Sequence, residues 1–205
     1  FEREGQIVPL GINGEGLLKL LKVLSEPEYA ESLKVIKDGL KLFGWFQDFE
    51  IDGPQIDGIP RRLSILDRYL ANGVAKFDQK SANEGFLFVT FYLALFATDL
   101  TPKFFAIDNI DASLNPKMCE KLVRELVRLA ALRDKQVIIT THNPAVLDGL
   151  NLDDDDQRLF VVSRDSDGHT RIRRIQKPRQ AEGQPPIRLS EAFIRGTLGG
   201  LPRGF

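Results

Sequence analysis

Cysteine is nearly absent: Cys119 stands alone in 205 residues. One thiol cannot build a disulfide framework within the chain, and it fits a reducing compartment. An excess of charge of one sign is missing too. Lys plus Arg number 28 against 29 Asp plus Glu, a net charge of −1, which excludes a globally basic nucleic-acid binder but not a local basic patch. No apolar run reaches the roughly 18–20 residues a membrane helix needs. The longest, Phe86 to Ala97, is shorter and contains Thr90 and Tyr92. No secretory leader and no internal repeat is visible in the sequence. Phe1 as the first residue points to a piece of a longer chain. What is left, 42% hydrophobic and 28% charged, is an ordinary globular composition with room for one large domain or two small ones.

Leu17, Leu18, Leu20, Leu21 and Leu24 recur at helical spacing after the turn-forming Asn13-Gly14-Glu15-Gly16. A second helical pattern runs from Glu28 to Phe43, and a short strand is expected near Trp45 to Ile51. Leu63 to Leu70 and Val74 to Phe77 flank Asn72-Gly73, a pair suited to the positive φ angles of a tight hairpin turn. From Ser81 onward helices and short apolar runs alternate. A helix over Glu84 to Asp99 leads to Phe104-Phe105-Ala106-Ile107, a helix over Pro116 to Arg133 to Val137-Ile138-Ile139. Continuous apolar runs separated by helices argue for parallel strands covered on both faces. A short helix at Ala145 to Gly149, a hairpin from Arg158 to Ile175 and a Pro-, Gly- and Arg-rich tail with a helical stretch at Leu189 to Arg195 complete the chain.

Ligands of open α/β sheets bind beyond the carboxyl ends of strands. The two apolar runs end in Asp108-Asn109 and in Thr140-Thr141-His142. A carboxylate at such a tip can hold Mg²⁺, which prefers hard oxygen ligands, and a neighbouring histidine can donate to a phosphate oxygen. Alone, Asp108 reads as a solvated carboxylate capping a loop; with His142 on the next strand, a site is favoured. Ser81-Ala82-Asn83-Glu84-Gly85 precedes an apolar helix. Ser-x-x-Glu is a capping box, Ser81 accepting the amide of Glu84, and a helix start with free amides and a hydroxyl is also an anion site. Cys119 reads as a packed thiol, His169 as solvated and Asp153 to Asp156 as a solvated loop. Phe86, Phe88, Phe91, Tyr92 and Phe96 read as core. Arg171, Arg173, Arg174, Lys177 and Arg179 read as an ordinary charged face or partner surface, with a phosphate-backbone contact as the alternative.

In order, Ser81 to Gly85, "FFAIDNID" (104–111), "SLNP" (113–116) and "TTHNP" (140–144) resemble the C-terminal half of an ABC-type AAA ATPase head of the RecF/SMC/OLD-like group found in bacterial DNA repair and phage defence. The segment 158–175 and the ending 198–205 also look like that group. The resemblance covers residues 81–205 well and 1–80 loosely. It implies an α/β fold, a mostly parallel sheet flanked by helices (an ABC-type P-loop NTPase lobe) with an antiparallel hairpin near the C-terminus. It also implies a division into 1–80 (the N-terminal part of the head), 81–177 (the C-terminal lobe) and 178–205 (a tail).

By the same resemblance, Ser81, Asn83, Glu84 and Gly85 belong to the signature loop that reaches the γ-phosphate of ATP on a second protomer. Asp108 is the Walker B aspartate that holds Mg²⁺, Ala112 to Pro116 is the loop crossing the dimer interface, and His142 is the switch histidine. The implied protein is a cytoplasmic homodimer or higher oligomer closed around ATP. A nuclease or other effector is a possible partner, DNA another, and a membrane none. Two departures qualify this. No G-x-x-x-x-G-K-[ST] occurs in the sequence, so the loop that cradles the α- and β-phosphates is expected to precede Phe1, or else the site is a half-site. And Asn109 stands where the family usually has the glutamate that orients the attacking water. General-base catalysis is worth roughly 10²–10⁴ in rate, so turnover is expected to be slow unless Asp111 or Glu84 substitutes. The alternatives are an ATP-binding switch or scaffold that does not hydrolyse, and a RecF-like DNA-binding clamp.

Overall fold

The computed structural model describes residues 16–52, 62–70, 76–177 and 187–199. The chain divides into two compact units, Phe1–Ile107 with Arg128–Ile138, and Asp108–Val127 with Ile139–Phe205.

In the first unit, α1 (Leu17–Val23), α2 (Ala30–Leu40) and α3 (Glu84–Ala97) accompany an antiparallel sheet ordered β1 (Phe46–Asp52), β2 (Arg62–Asp67), β3 (Lys76–Asp78). Opposite pairs such as Phe49 with Ile65 and Ile51 with Leu63 point into the core. Phe46 is also buried, although odd spacing from Phe49 should turn it outward. A register shift between Phe46 and Asp48 resets the alternation, as a β-bulge does. The hairpin expected around Asn72-Gly73 forms, with Leu66 opposite Lys76; the turn itself lies outside the described residues, as do 13–15 and the end of the tail.

The helix α3 is buried on nearly every side, which its almost unbroken apolar sequence requires. Its buried Thr90 hydroxyl donates back to the Phe86 carbonyl at 2.8 Å, so no polar group is stranded. At the far end the Thr101 hydroxyl satisfies the Leu95 carbonyl at 2.7 Å, one of the acceptors a helix terminus leaves open. Phe96 then packs edge-on against Phe105 at 5.1 Å.

Phe105 belongs to β4 (Phe104–Ile107), which pairs with β5 (Gln136–Ile139) across the connecting helix α4 (Pro116–Leu132). The Gln136 N–H donates to the Lys103 carbonyl at 2.7 Å where both strands begin, and the Ile110 N–H to the Thr140 carbonyl at 3.3 Å where both end. The two strands therefore run parallel. Two expectations are corrected. The sheet is not mostly parallel: among the described residues only this pair is, and the other strands form the antiparallel β1-β2-β3 sheet and a terminal hairpin. Short connections permit antiparallel pairing, whereas a parallel neighbour demands a crossover such as α4. Nor are β4 and β5 covered on both faces, because Phe104 and Ile138 are more than half exposed.

In the second unit α5 (Pro144–Leu147), the hairpin β6 (Leu159–Arg164) with β7 (Thr170–Ile175), and α6 (Leu189–Ile194) enclose Leu147, Ile175, Ala192 and Leu198. Asp148 ties α5 to α6 by accepting the Ser190 hydroxyl at 2.7 Å and its N–H at 3.0 Å. Among the described residues no helix is long and apolar enough to cross a membrane.

Candidate functional site

Each strand tip hands the chain to a polar loop, and the two loops are bonded to each other. After β4 the chain turns sharply at Asn109, whose φ of 51° is a left-handed value that asparagine enters more readily than most residues. The Asn109 N–H donates to Thr140 Oγ1 at 3.0 Å, and the Thr140 hydroxyl donates to Asp108 Oδ1. The Asn109 side-chain amide stands 3.5 Å from Asp108 Oδ2. Asp108, Asn109 and Thr140 therefore form one closed set at the exposed end of the sheet.

A second set lies beside it. The Thr141 hydroxyl donates to Asp111 Oδ1 and accepts the Asn143 N–H at 3.0 Å. The Asn143 side chain accepts the Ala145 N–H at 3.0 Å, capping α5, and donates to Cys119 Sγ at 3.6 Å. Cys119 is buried, and burial together with the Asp111 charge pushes its thiol up to about 11. It is an uncharged packing group rather than a nucleophile. From Asp111 the loop runs through Ser113, at φ 59°, to Asn115, whose side chain accepts the Met118 N–H at 3.0 Å and starts α4. His142 is exposed and sits between the two residues this network holds.

The structure thus joins Asp108 and Asn109 to the segment carrying His142. Ser81 to Gly85 belongs to the first unit. There the capping box does not form: Ser81 turns back to Asp78, its N–H donating to the Asp78 carbonyl at 3.0 Å, and Asn83 caps α3 instead by accepting the Phe86 N–H at 2.7 Å. The Asp78 carboxylate competes for Ser81, and Asn83 is the residue with the extended backbone a cap needs. The sequence places Thr140, Thr141 and Asn143 in the strand-end motif without giving them a role, and offers Asp111 only as a substitute base; the bonds that join them to Asp108 and Asp111 come from the structure. Two consecutive hydroxyls at a strand end were the available signal.

The basic stretch is largely spoken for. Arg174 pairs with Asp155 at 3.0 Å, Arg171 with Asp165 at 2.8 Å and Lys177 with Asp153, while Arg173 donates to the Leu198 carbonyl. The acidic run supplies counter-charge to the hairpin. Asp165, Asp167 and His169 bring ligand atoms within 4.8 Å of one another, but Asp165 already accepts the Asp167 and His169 N–H groups at 3.0 and 2.9 Å. The His169 N–H, then Arg171, hold the Asp165 carboxyl below the usual carboxylate range.

Residues 13–148 match the family described as "AAA domain, putative AbiEii toxin, Type IV TA system". The chain belongs to this AAA domain family. Its α/β fold is similar to that of SMC ATPase heads. A structure described as "Structural biochemistry of ATP-driven dimerization and DNA stimulated activation of SMC ATPases" matches over 83% of this chain and 94% of its own, at 13% identity and TM-score 0.52. The Smc head with an extended coiled coil bound to the C-terminal domain of ScpA, from Pyrococcus furiosus, matches over 72% of this chain at 14% identity and TM-score 0.52. The Smc head with a coiled coil and joint from Pyrococcus yayanosii matches over 81% at 15% identity and TM-score 0.52. Those two matches span only 35% and 28% of the Pyrococcus chains. No curated protein matches the sequence. The family places this AAA domain among nucleotide-binding ATPases, which use ATP and Mg²⁺.

Proposed function

We propose that this domain closes on a second copy around ATP and Mg²⁺, hydrolyses the γ-phosphate bond slowly, and so times the engagement of an effector in phage defence or DNA transactions. The observation that carries the reading is the hydrogen-bonded junction of Asp108, at the tip of β4, with the Thr140 to Asn143 segment at the tip of β5. A ligand beyond that end of the sheet would meet a carboxylate and an imidazole together. The family description supports a defence setting, and the first SMC relative is described by ATP-driven dimerisation and DNA-stimulated activation.

The residues fit the ion. Asp108 has one oxygen engaged by a hydroxyl and the other by no more than a long amide contact, so a hard oxygen donor remains for Mg²⁺. Bound there, Mg²⁺ would neutralise charge developing on the transferred phosphoryl group. Asn109 can orient a water but cannot take its proton, so hydrolysis is slow and the ATP state long-lived. His142 donates to the γ-phosphate. The α- and β-phosphates need a loop that this sequence does not contain, since G-x-x-x-x-G-K-[ST] is absent. Signature residues Ser81, Asn83, Glu84 and Gly85 act on the partner's nucleotide. The DNA-clamp reading loses support because Arg171, Arg174 and Lys177 already have carboxylate partners.

Single-turnover release of phosphate by the intact protein tests this. We expect slow Mg²⁺-dependent release that Asp108→Ala abolishes and Asn109→Glu accelerates by roughly 10²-fold or more. Release that is unchanged in Asp108→Ala would overturn the assignment. ATP binding without any release would leave a non-hydrolysing switch.

A further inference from the structure

We propose that Asp111 is a positioning residue, and that it acts through the Thr141 hydroxyl to fix the backbone on which His142 is mounted. The inference rests on the ATP-site reading above and goes beyond it, since Asp111 would otherwise be the obvious stand-in for the base missing at Asn109.

Thr141 owns a single hydroxyl proton and gives it to Asp111 Oδ1, which leaves its oxygen free to accept the Asn143 N–H at 3.0 Å. One hydroxyl therefore clamps the main chain on both sides of residue 142. Asn143 is held twice more, by the Ala145 N–H on its side-chain oxygen and by its own amide on Cys119 Sγ. The Asp111 main chain is fixed in turn: its carbonyl accepts the Leu114 N–H at 3.1 Å in the loop that leads to α4. Asp111 and Thr141 are both partly buried, where such bonds are stronger than in water. His142 itself is exposed, an imidazole free to turn on a rigid mount. The same bond links the loop beginning at Asp111 to the loop carrying His142, so displacement of either strains the other. A base must aim a free acceptor at water, whereas an anchor needs only an oxygen that accepts the hydroxyl.

That difference gives the test. Asp111→Asn keeps an accepting oxygen and removes basicity; Asp111→Ala removes both. Thr141→Ser keeps the hydroxyl, and Thr141→Val keeps the shape without it. In the nucleotide-free protein, hydrogen exchange of the Asn143 amide should accelerate roughly 5-fold or more in Thr141→Val and Asp111→Ala, the size of one lost hydrogen bond, and stay near the parent in Thr141→Ser and Asp111→Asn. In single-turnover hydrolysis, Asp111→Asn and Thr141→Ser should remain close to the parent rate, while Thr141→Val and Asp111→Ala fall by up to about 10²-fold, as a misplacement near 1 Å does. Asp111→Asn as inactive as Asp111→Ala would make Asp111 the base and overturn the proposal. Unchanged Asn143 exchange in Thr141→Val would overturn it as well. If no variant and not even the parent binds or hydrolyses ATP, the ATP reading fails, and the exchange measurement alone decides whether the anchor exists.

Discussion

The two units are held together by different means. In the first, Phe86 at the start of α3 receives the rings of Phe43, Trp45 and Phe46 at 5.3, 5.2 and 5.6 Å, and its side chain is fully buried. In the second, the strand-end loops are tied by two threonine hydroxyls, two aspartates and an asparagine, of which Asp111, Thr141 and Asn143 are partly buried and Asp108 and Thr140 exposed. Packed rings set shape through many weak, non-directional contacts. A hydroxyl with one proton admits one arrangement. We therefore expect stability to rest chiefly on the ring cluster around Phe86, and positional accuracy on the hydroxyl-tied loops.

The sharpest way to break this comparison is at Phe86. Phe86→Ala removes the ring on which three others converge and should cost about 3–5 kcal/mol. Thermal or urea unfolding that changes by less than about 1 kcal/mol would show that the ring cluster is not the main support.

Lys135 is the polar exception within the first unit. It is only 8% exposed, and its ammonium donates to Thr101 Oγ1 at 2.6 Å and to the Thr101 and Pro102 carbonyls. Burial, reinforced by Lys103 and Arg133 and opposed by Asp99, depresses it to about 8. Below that pH the buried charge weighs against the fold. Between about 8 and 10.5 the unfolded chain binds the proton and the folded one does not, so stability rises with pH. The stability of the parent relative to Lys135→Met should climb by up to roughly 3 kcal/mol across that window. A flat difference would mean that Lys135 titrates as it does in water.

Two glycines sharpen the contrast with smaller effects. A Cβ at Gly149 would stand 2.8 Å from the Glu120 carbonyl and 2.6 Å from Val123 Cβ, neither of which can swing away. A Cβ at Gly39 would meet only the ends of the Leu93 side chain, at 2.7 and 2.8 Å, which can change rotamer. Gly149→Ala should cost about 1–3 kcal/mol and Gly39→Ala less, as chemical denaturation would measure. The reverse order would mean that the second unit yields more readily than the first.

The helices were legible because their periodicity is local: α2, α3 and α4 lie where the apolar spacing puts them, and β4 and β5 where the short apolar runs end in polar residues. Pairing was harder to read, because nothing in Phe46 to Asp52 announces an antiparallel partner or the bulge that buries both Phe46 and Phe49. The capping error at Ser81 has the same origin. Ser-x-x-Glu is a local pattern, and Asp78, just outside it, decided the outcome. Asp108 and His142 could be singled out from their strand-end positions. Thr140 and Thr141 were visible only as two hydroxyls at a strand end, since the carboxylates they serve stand some thirty residues earlier in the chain.

The most direct test of a shared site at Asp108 and His142 is paramagnetic broadening of backbone amides by Mn²⁺ added with ATP. Broadening centred on residues 108–111 and 140–143, and lost in Asp108→Ala, is the expected result. Broadening confined to the Asp165–His169 turn, or unchanged in Asp108→Ala, would contradict it.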